Sequence, residues 1–142
     1  MDLIVEAPIN SLSFGNVTYN FLRQFWRKNI NVHWYPLGGN SDFSIYDKLD
    51  PDFKKWLESS VSNSNLNIKK DTPTFKMWHI NGSQTRISSK QILYTFYELD
   101  EPTSTESNLI NHQDKCIFSS NYAKEKFLNA GCKNTTSIPI GF

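Results

Sequence analysis

Short apolar runs alternate with amphipathic stretches along the chain, and this alternation predicts strands that are each followed by a helix or a turn. Residues 3–7 form an apolar run, and a loop follows it as far as Gly15. Asn16 is predicted to cap a helix, because apolar residues then recur at helical spacing. These apolar residues are Val17, Phe21, Leu22, Phe25 and Trp26.

The same alternation continues to the end of the chain. Asp50 and Pro51 predict the start of a second helix, because aspartate caps helices and proline suits the first helical position. Gly131 predicts the left-handed end of the last helix, which follows Ser120. Further strands are predicted at 31–37, 74–80, 91–97, 115–118 and 136–140, with a short helix at 103–112 and a polar, glycine-containing turn at 38–42. The expected fold is α/β, a single Rossmann-like three-layer domain with a mostly parallel sheet of about six strands.

Composition places the chain among globular proteins of one domain. It has 142 residues, 38% of them hydrophobic and 20% charged, which is enough to bury a core. The net charge is +1 and the basic residues are scattered, so no nucleic-acid partner is expected. The chain has no signal-peptide pattern and no apolar run of about 18 residues, which favours a cytoplasmic location. Cys116 and Cys132 lack metal-ligand spacing, so no metal site is expected. No cofactor is expected either.

The residues that follow the predicted strands are the candidates for chemistry. Parallel strands end at one edge of a sheet, where loops and helix N-termini converge on bound ligands. The predicted catalytic residues are Glu98 and His79, and the predicted substrate-binding residues are Gly15, Asn16, Asn81, Asp100 and Ser120.

Each of these candidates also has a structural interpretation. Gly15 is suited either to a phosphate near a helix N-terminus or to a simple turn. His79 is suited either to proton exchange with a sugar hydroxyl or to a buried, hydrogen-bonded position. Glu98, Asp100 and Glu101 form either a site for a cationic or polyhydroxyl group or a solvated loop.

Four segments carry a resemblance to a known family. They are 94–100, with Thr95 and Glu98; 116–124, with the Ser119-Ser120 pair; 127–131, which ends in glycine; and 137–142, which reads Ser-Ile-Pro-Ile-Gly-Phe. Together they resemble the N-terminal domain of the retaining glycosyltransferases of family 4, whose fold is called GT-B. In that family a Thr-x-x-Glu-like segment, a Ser-Ser strand end and a Val-x-Pro-x-Gly strand follow in this order.

The resemblance implies an acceptor-side domain for residues 1–142, with the C-terminal donor domain absent. It implies a sugar or glycan acceptor, a nucleotide sugar as donor, and a donor domain supplied in cis or in trans. Isolated, such a domain is expected to be inactive, and its uncovered contact face is expected to favour homo-oligomers. A non-catalytic glycan-binding or scaffold module with the same fold is the alternative. A receiver-like signalling domain fits less well, because Glu6 stands alone at the end of the first strand.

Overall fold

The computed structural model describes residues 1–10, 13–38, 42, 49–62 and 68–140. Within these ranges the chain forms six strands and four helices. In chain order they are β1 (Asp2–Ala7), α1 (Ser13–Arg27), β2 (Asn31–Pro36), α2 (Pro51–Ser62), β3 (Thr74–Met77), β4 (Gln91–Thr95), α3 (Ser104–Asn111), β5 (Lys115–Phe118), α4 (Asn121–Asn129) and β6 (Thr135–Ser137). The predicted residues Gly39, Asn40, Ser41, Gly141 and Phe142 lie outside the described residues.

The strands form one sheet in the order β2-β1-β3-β4-β5-β6, and every neighbouring pair is parallel. This confirms the predicted six-stranded parallel sheet. The chain moves outward from β1 to β2 and then returns to place β3 on the other side of β1. Such a reversal is a topological switch point, and the crevice beyond the strand ends at that point is where ligands of open α/β sheets bind.

Helices cover both faces of the sheet, as the sequence predicts. Successive strand residues point to opposite faces, so each strand contributes to two cores. On one face Val5 and Tyr94 pack in a core with Leu22 of α1. On the other face Leu93 packs in a second core with Phe127 of α4. The domain therefore has the three layers of a Rossmann-like fold.

The helix ends follow the predicted signals. The Asp50 carboxylate accepts hydrogen bonds from the backbone N–H groups of Asp52 and Phe53, at 2.8 and 3.4 Å, before α2. Ser120 caps α4 in the same way, because its hydroxyl accepts from the N–H of Ala123 at 3.1 Å. Gly131 follows α4 with a φ of 94°, the left-handed conformation expected there.

Two predicted boundaries are wrong at the ends of elements that face the candidate site. Asn16 does not cap α1, which begins at Ser13, so Asn16 lies inside the helix. The third strand ends at Met77 instead of residue 80, because a turn begins immediately after it. That turn is closed by Ser83, whose N–H and hydroxyl both donate to the carbonyl of Ile80, at 3.1 and 2.6 Å.

The predicted strands at 91–97 and 136–140 are also shorter in the structure. Their observed ranges are Gln91–Thr95 and Thr135–Ser137, whereas Lys115–Phe118 matches its prediction. The residues beyond β4 and β6 leave the sheet at its carboxyl edge and line the surface there. No helix of the described residues is long and apolar enough to cross a membrane.

Candidate functional site

A cleft of about 500 Å³ lies at the carboxyl edge of the sheet. Its walls come from segments that follow several strands, as expected where parallel strands end together. The lining residues are Phe14 after β1, His79 after β3, Phe96, Tyr97 and Glu98 after β4, Ser119 after β5 and Ile140 after β6. The structure therefore brings His79 and Glu98, the two predicted catalytic residues, to one cleft.

Aromatic rings form one wall of this cleft. The Phe14 and Phe96 ring centroids are 4.5 Å apart, and the Phe14 ring meets the His79 imidazole edge-on at 4.9 Å and 82°. Trp78 packs behind them, with its ring centroid 5.2 Å from that of His79. Binding clefts for small molecules combine such apolar walls with a few polar groups, here His79 and Glu98.

The turn after β3 sets the position of His79. Trp78 is half-buried, and its indole nitrogen lies 3.2 Å from where a Cβ on Gly82 would stand. Gly82 also has a φ of 98°, so both its conformation and the close indole favour glycine there. Because Trp78 takes the inward position of the turn, His79 is exposed toward the cleft.

Tyr97 anchors the segment that carries Glu98. The Tyr97 ring is buried and packs edge-on against Phe127 of α4, with centroids 4.8 Å apart. Burial raises the pKa of the Tyr97 phenol, and the nearby carboxylate of Glu106 raises it further. Glu98 follows directly and is exposed at the cleft, so the buried Tyr97 holds the segment that presents the Glu98 carboxylate there.

Gly15 and Asn16 lie next to the cleft residue Phe14 but do not line the cleft themselves. A Cβ on Gly15 would overlap the backbone of Asn10, so the loop after β1 lies directly on the first turn of α1. Asn16 uses its carbonyl to accept a hydrogen bond from the Asn20 side chain at 3.0 Å. The close approach of Asn10 is a structural reason for Gly15, and the predicted role of Gly15 in substrate binding stays a prediction.

Ser119, and not Ser120, lines the cleft. Ser120 directs its hydroxyl to the N-terminus of α4, where it accepts from the N–H of Ala123. Ser119 extends β5 by donating its N–H to the carbonyl of Thr95 at 3.2 Å. The sequence alone does not distinguish the two serines. Their roles differ because α4 begins directly after Ser120, which leaves Ser119 at the cleft.

Asn81 and Asp100 lie outside this cleft. Asn81 is exposed in the turn after β3. Asp100 lines a neighbouring surface pocket of about 350 Å³ with Glu101 and Lys126. Its carboxylate lies 3.4 Å from the Tyr122 hydroxyl, which donates to it. The structure therefore does not place these two predicted substrate-binding residues with His79 and Glu98.

A buried ion pair near the switch point was not predicted from the sequence. Glu6 of β1 and Lys76 of β3 are paired in register, with the Lys76 Nζ 3.5 Å from the Glu6 Oε2. Lys76 also donates to the carbonyl and the hydroxyl of Thr85, at 3.0 and 2.8 Å. Burial raises the pKa of Glu6, and the charge of Lys76 partly opposes that rise. A charged residue inside each of two apolar runs is the sequence signal for this pair.

The described residues contain no group of three or more histidine, cysteine or acidic side chains placed to hold a metal ion. Both cysteines are free and buried. Burial raises the pKa of the Cys116 thiol, which disfavours the thiolate form that reacts as a nucleophile.

No protein-family model matches this chain, and no curated protein matches it either. The resemblance to family 4 glycosyltransferases therefore stays a prediction from sequence.

Proposed function

We propose that this chain is the acceptor-side domain of a retaining glycosyltransferase and holds a sugar or glycan acceptor in the carboxyl-edge cleft. The observation that carries the proposal is that His79 and Glu98 line one cleft together with the rings of Phe14 and Phe96. The apolar face of a sugar ring suits the aromatic wall, and its hydroxyls suit the imidazole and the carboxylate. The segments that resemble family 4 glycosyltransferases contribute Glu98 and Ser119 to this cleft.

In this proposal Glu98 and His79 orient the acceptor hydroxyl that is to be glycosylated. A carboxylate accepts a hydrogen bond from that hydroxyl, and an imidazole can accept or donate one, so both groups could take part in proton transfer. The donor nucleotide sugar is held by a second domain, in cis or in trans. Transfer then needs both domains, because the reacting groups must be held together in register.

A non-catalytic glycan-binding module is the second candidate function. The packing of Asn10 against Gly15 favours it, because the turn that could approach a donor phosphate is covered by the chain itself. Both candidates require glycan binding, and only the first requires transfer.

Glycan binding is tested by NMR titration of the chain with glucose, maltose and cellobiose, with the ring protons of His79 as the reporter. His79 signals are assigned by comparison with His79→Gln. We expect saturable shifts of the His79 signals, and a loss of binding in Glu98→Ala without a fall in melting temperature. If no sugar changes the His79 signals, the proposal that the cleft binds a glycan is wrong.

Transfer is tested separately, with UDP-glucose as donor and the same sugars as acceptors. The isolated chain is expected to form no product, because one domain supplies one wall of the reaction site. Robust turnover by the chain alone would show that it holds its own donor site. A second protein that restores transfer only with intact Glu98 would favour the transferase over the binding module.

A further inference from the structure

The walls of the carboxyl-edge cleft carry an unbalanced charge. Glu98, an acidic residue, is exposed at the cleft. Among the described residues, no lysine or arginine lines the cleft. Asp100 and Glu101, which follow Glu98 along the chain, are also exposed but line the neighbouring pocket with Lys126 and not this cleft.

Anionic ligands of α/β folds are usually held by helix N-termini, whose free N–H groups point toward the strand ends. Two helices begin beside this cleft, α1 and α4. The N-terminus of α4 is already capped, because the Ser120 hydroxyl accepts from the N–H of Ala123. On α1, the loop at Asn10 covers the surface of the first turn at Gly15. The chain itself therefore satisfies one N–H group at the start of α4 and packs against the first turn of α1.

Aromatic rings beside a carboxylate form an environment that suits a cationic ligand. The faces of aromatic rings attract cations, and a carboxylate pairs with an ammonium group. Here the Phe14 and Phe96 rings, 4.5 Å apart, lie in the same cleft as Glu98. A neutral sugar fits these walls, a cationic amino sugar gains a charge contact, and a sugar phosphate meets repulsion without a compensating cation.

We infer that the cleft discriminates sugars by charge, so that it binds amino sugars more tightly than neutral sugars and neutral sugars more tightly than sugar phosphates. The inference rests on the proposed function, because it concerns the same acceptor site. Glu98 is the residue that sets this order. A single unit charge about 4 Å away in a water-like medium changes affinity by about fivefold.

The test uses ligands that differ only at carbon 6 of one hexose: 6-amino-6-deoxyglucose, glucose and glucose 6-phosphate, and the same sets for galactose and mannose. Each is titrated at pH 7 and low salt, with the His79 ring protons as the reporter. We expect affinity to fall by about fivefold from the amino sugar to the neutral sugar, and by more than that from the neutral sugar to the phosphate, which carries more than one negative charge at pH 7. Added salt should reduce these differences, because screening weakens contacts between exposed charges.

Two variants assign the effect to one residue. Glu98→Gln keeps the shape of the side chain and removes its charge, so the three ligands of each set should bind with nearly equal affinity. Glu101→Gln makes the same change in charge three residues away, outside the cleft, and should keep the order. A loss of the order in Glu101→Gln but not in Glu98→Gln would overturn the assignment to Glu98.

The remaining outcomes separate the inference from the function on which it rests. If the sugar phosphate binds most tightly, the charge order is wrong while glycan binding at this cleft is retained. If no sugar of any set shifts the His79 signals, the proposed function fails, and the inference fails with it. Equal affinities in the unaltered chain would also contradict the charge order.

Discussion

Glu6 and Lys76 lie opposite each other on adjacent strands in the interior of the domain, where they are 6% and 1% exposed. A buried ion pair rarely adds much stability, because removing two charges from water costs about as much as their attraction returns. Lys76 has three acceptors within reach, two of them on Thr85, whereas the Glu6 Oε1 has no hydrogen-bond partner among the residues that the structure describes. The Lys76 ammonium group is therefore better supplied with hydrogen-bond partners than the Glu6 carboxylate.

This asymmetry predicts the effects of removing one partner. Lys76→Met leaves the Glu6 carboxylate buried without a counter-ion, and we expect the free energy of unfolding to fall by about 3 kcal/mol at pH 7. The double variant Glu6→Gln with Lys76→Met should recover most of that loss, because it leaves no buried charge. Urea unfolding of the three proteins measures both effects. Equal stabilities of the single and double variants would mean that Glu6 is not the source of the cost.

The raised pKa of Glu6 predicts a pH dependence with a definite sign. A carboxyl with a higher pKa in the folded state holds its proton more tightly when folded. Its contribution to stability is therefore fully present below the pKa of the unfolded chain and is lost as pH rises through the raised folded pKa. The unaltered chain should gain stability relative to Glu6→Gln as the pH falls from 8 toward 4. If the difference in free energy of unfolding between the two proteins changed in the opposite direction, Lys76 would have to lower the pKa of Glu6 below its value in the unfolded chain.

At the scale of elements, the helix ends separate structural residues from those that face the cleft. Ser119 and Ser120 are adjacent and chemically identical, yet one lines the cleft and the other caps α4. Ser120 contributes through a hydrogen bond to the helix N-terminus, which does not depend on any ligand. Ser119 has no such bond from its hydroxyl among the described contacts, and its role is at the surface of the cleft.

Two alanine variants test this division. Ser120→Ala should lower the free energy of unfolding by about 1 kcal/mol, the usual cost of losing an N-cap. Ser119→Ala should change stability by less than about 0.5 kcal/mol and should weaken sugar binding instead. Thermal unfolding and the sugar titration, applied to both variants, give the comparison. If Ser120→Ala weakened binding without a loss of stability, the cap would be part of the site.

The accuracy of the sequence prediction also varies from element to element. The sequence predicts the start of α2 correctly, because Asp50 and Pro51 act locally on the backbone that follows them. It predicts the end of β3 three residues too late, because Trp78 and Ile80 continue an apolar pattern after the backbone has already turned. The predicted cap at Asn16 is wrong because α1 begins before Gly15, where Asn10 packs against the helix. Apolar pattern alone does not show where a tertiary contact ends a strand or starts a helix.

At the scale of the whole molecule, the strand order determines which distant residues meet. A local pattern predicts that strands are parallel, and therefore that their carboxyl ends share one edge, which brings His79 and Glu98 to the same cleft. It does not predict that β3 pairs with β1, and the Glu6–Lys76 contact depends on that pairing. Asn81 and Asp100 follow the same strands as His79 and Glu98 but lie outside the cleft, since the turns decide which side chain faces inward.

The carboxyl edge also carries exposed apolar side chains beside the cleft. Leu99, Tyr122 and Ile138 are 63%, 47% and 49% exposed, and the Tyr122 hydroxyl donates to the carbonyl of Leu99 at 3.3 Å. They follow β4, β5 and β6, so all three lie toward the carboxyl edge of the sheet, where the proposed second domain would pack. Exposed apolar side chains gathered in one region often mark a contact surface for another protein unit.

We therefore predict that the chain by itself associates with a second copy through this surface. In a two-fold dimer each contact residue is buried twice, so Leu99→Ser should weaken self-association by roughly tenfold or more. Leu128→Ser is the matched control, because Leu128 is also exposed, at 38%, but lies in the last turn of α4, away from the carboxyl edge. Sedimentation equilibrium over a wide concentration range measures all three proteins. A chain that stays monomeric at every concentration, or a dimer that Leu128→Ser weakens while Leu99→Ser does not, would show that the carboxyl edge is not the contact surface.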